Sequence, residues 1–360
     1  MRIGIYTDLH LCKTTSILPL HCEGSKYSTR LQYCIDTAKW MYDEFEKNNV
    51  DIIVNGGDTL DGLNMSAEEV SALSEFYSYS KGIEEIHIAG NHEKYGEESE
   101  FYTNKILSNL PFVKLYTEPC KINEYISVIP YTDSKNVTRE LCESITNDVL
   151  VSHLDIKGCH LRDDFLSEDG VELDYLCDNF NFVMNGHMHG REHIDISHCK
   201  NKKGKAVWNV GSVTSGSFSD NNKYIPSISI FDTETREFTK INNPHSILFR
   251  RLNLKNTSQA MKEINSLKDN FRYCVNASCP YDIKNEVKSL ILNKTNIIAS
   301  RITVSEIKLN IDEETAEVTE ELDNVESNKD IREQFLDYLT TLDSLKYPLE
   351  KYKEIVKESE

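Results

Sequence analysis

From its start to about residue 245 the chain alternates two hydrophobic rhythms. Short runs rich in Ile and Val read as strands: RIGIYTD (residues 2–8), VDIIVNGGD (50–58), EEIHIAGNHE (84–93), DVLVSHLD (148–155) and NFVMNGHMHG (181–190). TRLQYCIDTAKWMYDEFEKN (29–48) places Leu31, Ile35, Ala38, Met41, Tyr42 and Phe45 near helical spacing. SAEEVSALSEFYSYSKG (66–82) opens with Ser66 and Glu69 at capping-box spacing and reads as a second helix. GKAVWNVGS (204–212) and YIPSISIFDTETREFTKIN (224–242) read as later strands, the latter a pair joined near Thr233–Thr235. Such alternation predicts an α/β domain with polar residues delivered at strand ends.

The rhythm changes after residue 245. SILFRRLNLK, SQAMKEINSLKDN, FRYCVNASC, YDIKNEVKSLILNK and ASRITVSEIKLN read as strand, helix, strand, helix, strand, a small second α/β domain over 246–311. Residues 312–330 are acidic and lack a helical stripe, as a linker would. Apolar spacing returns over 331–360 through Phe335, Leu336, Leu339, Leu342 and Leu345, and Pro348 divides it into two short helices.

Charge sharpens this division. The formal net charge is -19, which argues against a molecule that coats nucleic acid along its whole surface. Residues 250–310 nevertheless hold 11 Lys and Arg against 5 Asp and Glu. Arg250, Arg251, Lys255, Lys284, Lys288 and Arg301 are candidates for contacts to DNA phosphates. None of the 10 cysteines forms a C-x-x-C pair, so no thiolate zinc site is expected. With neither a signal peptide nor a bilayer-length apolar run in view, a reducing cytoplasm is expected.

The candidate chemistry gathers at the strand ends. Asp8 and His10 follow the first strand, Asp58 the second, Asn91 and His92 the third and His153 the next; His187 and His189 sit between Gly186 and Gly190. Residues i and i+2 on an extended segment point the same way, so each pair is expected to present two donors together, with Leu9 and Met188 turned to the core. Parallel strands deliver such ends to one edge of a sheet. Oxygen and imidazole donors without thiolate suit manganese, iron or zinc. Eight candidates exceed the needs of one tetrahedral ion and suit two cations sharing a carboxylate, which would activate water and polarise a phosphoryl group.

DLH, GGD, GNHE, SHLD and GHMH, in this order, resemble the calcineurin-like metallophosphoesterase signature over about residues 1–240. Within that superfamily the chain looks like the DNA-repair nuclease branch, the bacterial SbcD type and the recombination nuclease subunits of large phages. The resemblance implies a sandwich of two mixed β-sheets flanked by helices over 1–245, a small capping domain, and C-terminal helices that grip an SMC-like ATPase. It implies that Asp8, His10 and His189 bind one metal, Asn91, His153 and His187 the other, and that Asp58 bridges. His92 then binds no metal and stands beside the scissile phosphate as general acid or transition-state stabiliser. Manganese, a homodimer and a DNA substrate, cut as double-strand exonuclease with some endonuclease activity, are further implications. That branch often carries a histidine where Asp61 stands here, which implies either a different endonuclease behaviour or a role moved to another residue; His21 reads either as that stand-in or as a solvated loop histidine.

Three functions compete: a DNA nuclease, a phosphatase or cyclic-nucleotide phosphodiesterase for small substrates, and a scaffold without catalysis. His87 is expected in the core, and His160, His193, His198 and His245 at the surface. GSVTSGSF (211–218) reads either as a phosphate-holding loop or as a plain turn. No P-loop spacing is present, so ATP binding by this chain is not expected.

Overall fold

In the computed structural model, residues 1–304 are described, apart from 14–17, 19–20, 23, 95–100, 163–164 and 219–223. Two six-stranded sheets face each other. In the first, β1 (Arg2–Tyr6), β2 (Ile52–Asn55), β3 (Glu84–Ile88) and β4 (Val113–Tyr116) run parallel. The hairpin of β13 (Ser227–Asp232) and β14 (Phe238–Asn242) pairs antiparallel with β1. In the second, β6 (Ile126–Ile129), β7 (Asn147–Ser152), β10 (Phe180–Asn185) and β12 (Ala206–Asn209) run parallel between the short antiparallel edges β5 (Cys120–Lys121) and β11 (Glu192–His193). A small hairpin, β8 (His160–Arg162) and β9 (Phe165–Leu166), stands apart.

The strand runs are apolar on both faces because both are covered. Ile3 and Ile5, Ile52 and Val54, Ile86 and Ile88 face Val149, Val151, Phe182 and Met184 across the sandwich. One residue out of phase, Tyr6 and Ile53 face outward beneath α1 (Thr29–Lys47) and α2 (Ala67–Ser78). Leu150 and Val183 do the same beneath α3 (Arg139–Ser144) and α4 (Leu173–Asn179). Each fully buried apolar side chain of this size contributes about 1.5–3 kcal/mol. The result is four layers, helix–sheet–sheet–helix. The two leading helices start where the sequence places them: Ser28 accepts the Leu31 N–H, and Ser66 with Glu69 forms the capping box.

Residues 247–304 form a third, parallel sheet of β15 (Ile247–Asn253), β16 (Arg272–Cys279) and β17 (Ile297–Val304). Helices α5 (Thr257–Asn265) and α6 (Lys284–Asn293) cover one face through Ala260, Ile264, Val287 and Ile291. On the other face Ile247, Phe249 and Cys274 pack with Leu18 and Tyr33, which ties this sheet to α1. The expected acidic linker and C-terminal helices lie outside the described residues. Among the described residues no helix is long and apolar enough to cross a membrane.

Candidate functional site

Five parallel strands end at one edge of the sandwich, and each continues into a short polar loop. The loop after β1 carries Asp8 and His10, the loop after β2 carries Asp58 and Asp61, and the loop after β3 carries Asn91 and His92. His153 follows β7; His187 and His189 follow β10. The sequence expects eight of these residues together, Asp61 aside, and the structure brings all eight there.

Their donor atoms form two joined groups. Asp8, His10 and His189 offer atoms within 4.8 Å of one another, and so do Asp58, His153 and His187. The Asp58 carboxylate reaches both groups, with Oδ2 3.3 Å from His153 Nε2 and 3.7 Å from His10 Nε2. Asn91 Oδ1 lies 3.1 Å from His153 Nε2 and 3.0 Å from His187 Nδ1.

One expectation is corrected. The paired residues do not point together by strand alternation. Asp8, His10, Asp58 and His187 have φ of 52°, 45°, 51° and 67°, four of the six non-glycine residues with positive φ among those described. The chain leaves each strand through a left-handed turn, which aims the side chains inward. Leu9 and Met188 between the donors are buried as expected. Such backbone costs on the order of 1–3 kcal/mol per residue and persists at sites that need it. Glycines allow the loops to close: an added Cβ at Gly90 would sit 2.0 Å from Asp58 Oδ1, and one at Gly186 2.4 Å from Thr7 Oγ1.

The donor set fits divalent cations. Asp8 Oδ1 is buried without a hydrogen-bond partner, which is costly unless a cation meets it. His10 Nε2 and His189 Nε2 lie 3.0 Å apart, both directed into the same space. The far side of three imidazoles is occupied. His153 Nδ1 donates to the Gly56 carbonyl at 2.7 Å, His10 Nδ1 meets Asp61 Oδ1 at 3.0 Å, and His187 Nε2 meets Asp155 Oδ1 at 3.1 Å. Such partners fix the tautomer that leaves the inner nitrogen free to bind a metal. Burial alone would raise the Asp58 carboxyl, but His153, His10 and His92 outweigh it and hold the group below the usual carboxylate range.

His92 stands at the rim with its side chain 42% exposed. Its backbone N–H donates to Asp58 Oδ1 at 3.0 Å, and its Nδ1 faces Asp61 Oδ1 at 3.4 Å. The hydrogen bond to Asp61, opposed by partial burial, pushes the imidazole up to about 9. Asp61 therefore holds two histidines at once. At this position the chain offers a carboxylate, which accepts from His10 and faces His92. Asp61→Ala is expected to lower kcat/KM by about 10–100-fold, and Asp61→Asn, which keeps an acceptor, by less. Steady-state kinetics on bis(4-nitrophenyl) phosphate checks this order. His21 is exposed, and its carbonyl accepts from Thr29 Oγ1.

Three supporting residues have no role assigned from the sequence, although Asp155 and Glu93 close the SHLD and GNHE motifs. Asp155 is one. Arg30, 1% exposed, donates to the carbonyls of Leu9, His10 and Ser215 and to Thr214 Oγ1 at 2.7–3.0 Å. Glu93, fully buried, ties the loops after β2 and β3. The 211–218 loop is a brace. Its Ser212 and Val213 amides donate to the carbonyls of His189 and Thr7, so they are not offered to a phosphate. His87 is buried against Glu85; His160, His193 and His198 are exposed, and His160 pairs with Glu192 at 2.6 Å. His245 is half-buried instead, two residues before β15.

The sequence profile of the calcineurin-like phosphoesterase family matches residues 1–208. Among solved structures, the protein TT1561 of Thermus thermophilus is 11% identical with a TM-score of 0.39, covering 67% of this chain and 98% of its own. A dimetal phosphatase from Danio rerio is 12% identical with a TM-score of 0.39, covering 68% and 99%. The purple acid phosphatase PPD1 from yellow lupin (Lupinus luteus) seeds is 14% identical with a TM-score of 0.43, covering 64% and 48%. No curated protein matches the chain.

Proposed function

The chain belongs to the calcineurin-like phosphoesterase family, and from that premise we propose that it is a two-metal DNA nuclease, with manganese as the working ion. The observation that carries the hydrolase reading is the convergence of seven oxygen and imidazole donors with His92 beside them. Asp8, His10 and His189 would hold one cation, Asn91, His153 and His187 the other, and Asp58 both. Bound there, the cations supply an activated water and neutralise charge building on the phosphoryl oxygens. The chain's own residues do the rest. Asp61 and Asp155 fix the ring orientation of His10 and His187, and the Gly56 carbonyl that of His153. His92, raised toward its protonated form and open to solvent, is placed to give a proton to the departing sugar oxygen.

DNA as the substrate is supported by the third sheet. Arg251 and Arg301 on its strands, Lys255 in the loop after β15 and Lys288 on α6 are exposed, and among the described residues none is in an ion pair. Unneutralised cations of this kind suit phosphate contacts. Residues 331–360 would then bind an SMC-like ATPase and place the nuclease in DNA repair or recombination, with a homodimer as the working unit. A second reading, a phosphatase for small esters, draws on Asp61 and Asp155. Their side chains are 41% and 42% exposed at the site and would repel a polyanion.

One assay separates the readings. The purified chain is incubated with Mn²⁺ and end-labelled duplex DNA, and in parallel with 4-nitrophenyl phosphate and its bis ester. Metal-dependent DNA degradation is the expected result. Turnover of the monoester with intact DNA, also when an ATPase partner is added, would replace the nuclease by the phosphatase.

A further inference from the structure

We infer that Glu93 is a positioning residue that locks the Asp58 loop to the Asn91–His92 loop; this rests on the two-metal reading above. Its side chain is wholly buried, and its acceptors are divided between two elements. Oε1 accepts the Leu60 N–H at 3.1 Å, two residues beyond Asp58. Oε2 accepts the Gly90 N–H at 3.0 Å, one residue before Asn91, and the Asn104 side-chain amide at 2.7 Å. The Glu93 carbonyl accepts from the Thr103 N–H at 3.0 Å and its hydroxyl at 3.2 Å, so the residue itself is anchored from the segment Thr103–Asn109.

Those two backbone bonds are where a positioning device belongs. The loops they join carry Asp58, Asn91 and His92, with Asp58 on left-handed backbone. They touch so closely that Gly90 leaves no room for a Cβ beside Asp58, and His92 N–H bonds the Asp58 carboxylate. A single carboxylate with two oxygens satisfies both loop amides at once. An amide has only one oxygen. Whichever way glutamine is inserted, its NH₂ group faces either the Leu60 or the Gly90 N–H, donor against donor. One loop is then released while shape and volume are kept.

The test uses the full chain and three readouts: circular dichroism with thermal unfolding, Mn²⁺ titration calorimetry, and steady-state kinetics on bis(4-nitrophenyl) phosphate. Glu93→Gln is expected to fold, to bind Mn²⁺ about 10–100-fold more weakly, and to lose kcat with KM little changed. Asn104→Ala, which keeps both backbone bonds, is expected to lower the melting temperature with kcat within about threefold of wild type. Equal Mn²⁺ affinity and kcat for Glu93→Gln and wild type overturns the inference. So does an Asn104→Ala variant as impaired in kcat as Glu93→Gln, since general packing then explains both. Should Glu93→Gln fail to fold, replacing Leu60 by its α-hydroxy acid deletes that single N–H, and the same loss of metal affinity is expected. A wild type that takes up no Mn²⁺ and hydrolyses no ester removes the two-metal reading itself. A normal wild type beside a normal Glu93→Gln removes only the role of Glu93.

Discussion

Asp58→Asn is expected to reduce kcat/KM by about 10³-fold or more, equivalent to about 4 kcal/mol of transition-state stabilisation, and to lower Mn²⁺ stoichiometry from two to one at most. The substitution keeps the size and the Oδ1 acceptor for the His92 N–H, bonded at 3.0 Å. It removes the charge. In the structure that charge lies between the two donor groups, 3.3 Å from His153 and 3.7 Å from His10, and it is nearly inaccessible to solvent. A neutral amide oxygen offers one cation a weak ligand and two cations no shared one. Two cations held there would then repel each other with no shared negative charge between them. Calorimetric titration with Mn²⁺ gives the stoichiometry, and the bis ester gives the rate. A variant that still takes two equivalents and retains activity within about tenfold would show that Asp58 does not bridge, and the two-metal assignment would have to be redrawn around Asp8.

Much of this site is legible in the sequence, because the fold does simple things with it. Parallel strands with apolar residues on both faces must end together, and DLH, GGD, GNHE, SHLD and GHMH mark those ends. The eight residues they carry meet in space. What the sequence hides is how the ends turn. Alternation along an extended strand suggests that His187 and His189 align; the chain instead enters a left-handed turn at His187, with φ of 67°. Nothing in the residue types separates these routes, since both put two imidazoles in one cavity. The supporting residues are hidden for another reason. Asp61, Asp155 and Glu93 act through partners 30 or more positions away, at His10, His187 and Leu60. Spacing within a motif carries no trace of such pairings. For Asp61 the resemblance marks only the absence of a histidine; the contacts of its carboxylate with His10 and His92 leave no mark in the motif.

Arg30→Met is expected to destabilise the fold by about 3–5 kcal/mol and to disturb the metal site with it. Sequence places Arg30 in the first turn of an ordinary amphipathic helix, where an arginine is normally solvated. Here the side chain is buried, and its charge is met by neutral oxygens. These are the carbonyls of Leu9 at 2.7 Å, His10 at 3.0 Å and Ser215 at 2.9 Å, with Thr214 Oγ1 at 2.9 Å. Thr214 in turn donates to the Leu9 carbonyl at 2.7 Å. One guanidinium thus closes α1, the loop after β1 and the 211–218 brace upon one another. Methionine fills similar space but takes the donor away from the His10 and Ser215 carbonyls, and each buried acceptor left unbonded costs about 1–3 kcal/mol. Urea unfolding monitored by circular dichroism measures the loss. Because His10 sits at φ 45° and Arg30 holds its carbonyl, the strain there is free to relax once the bond goes. Saturating Mn²⁺ is therefore expected to restore part of the lost stability, since the cation binds only the folded arrangement and pulls His10 back into it. A variant as stable as wild type would mean that water replaces the guanidinium without cost, and that the loop after β1 keeps its shape unaided.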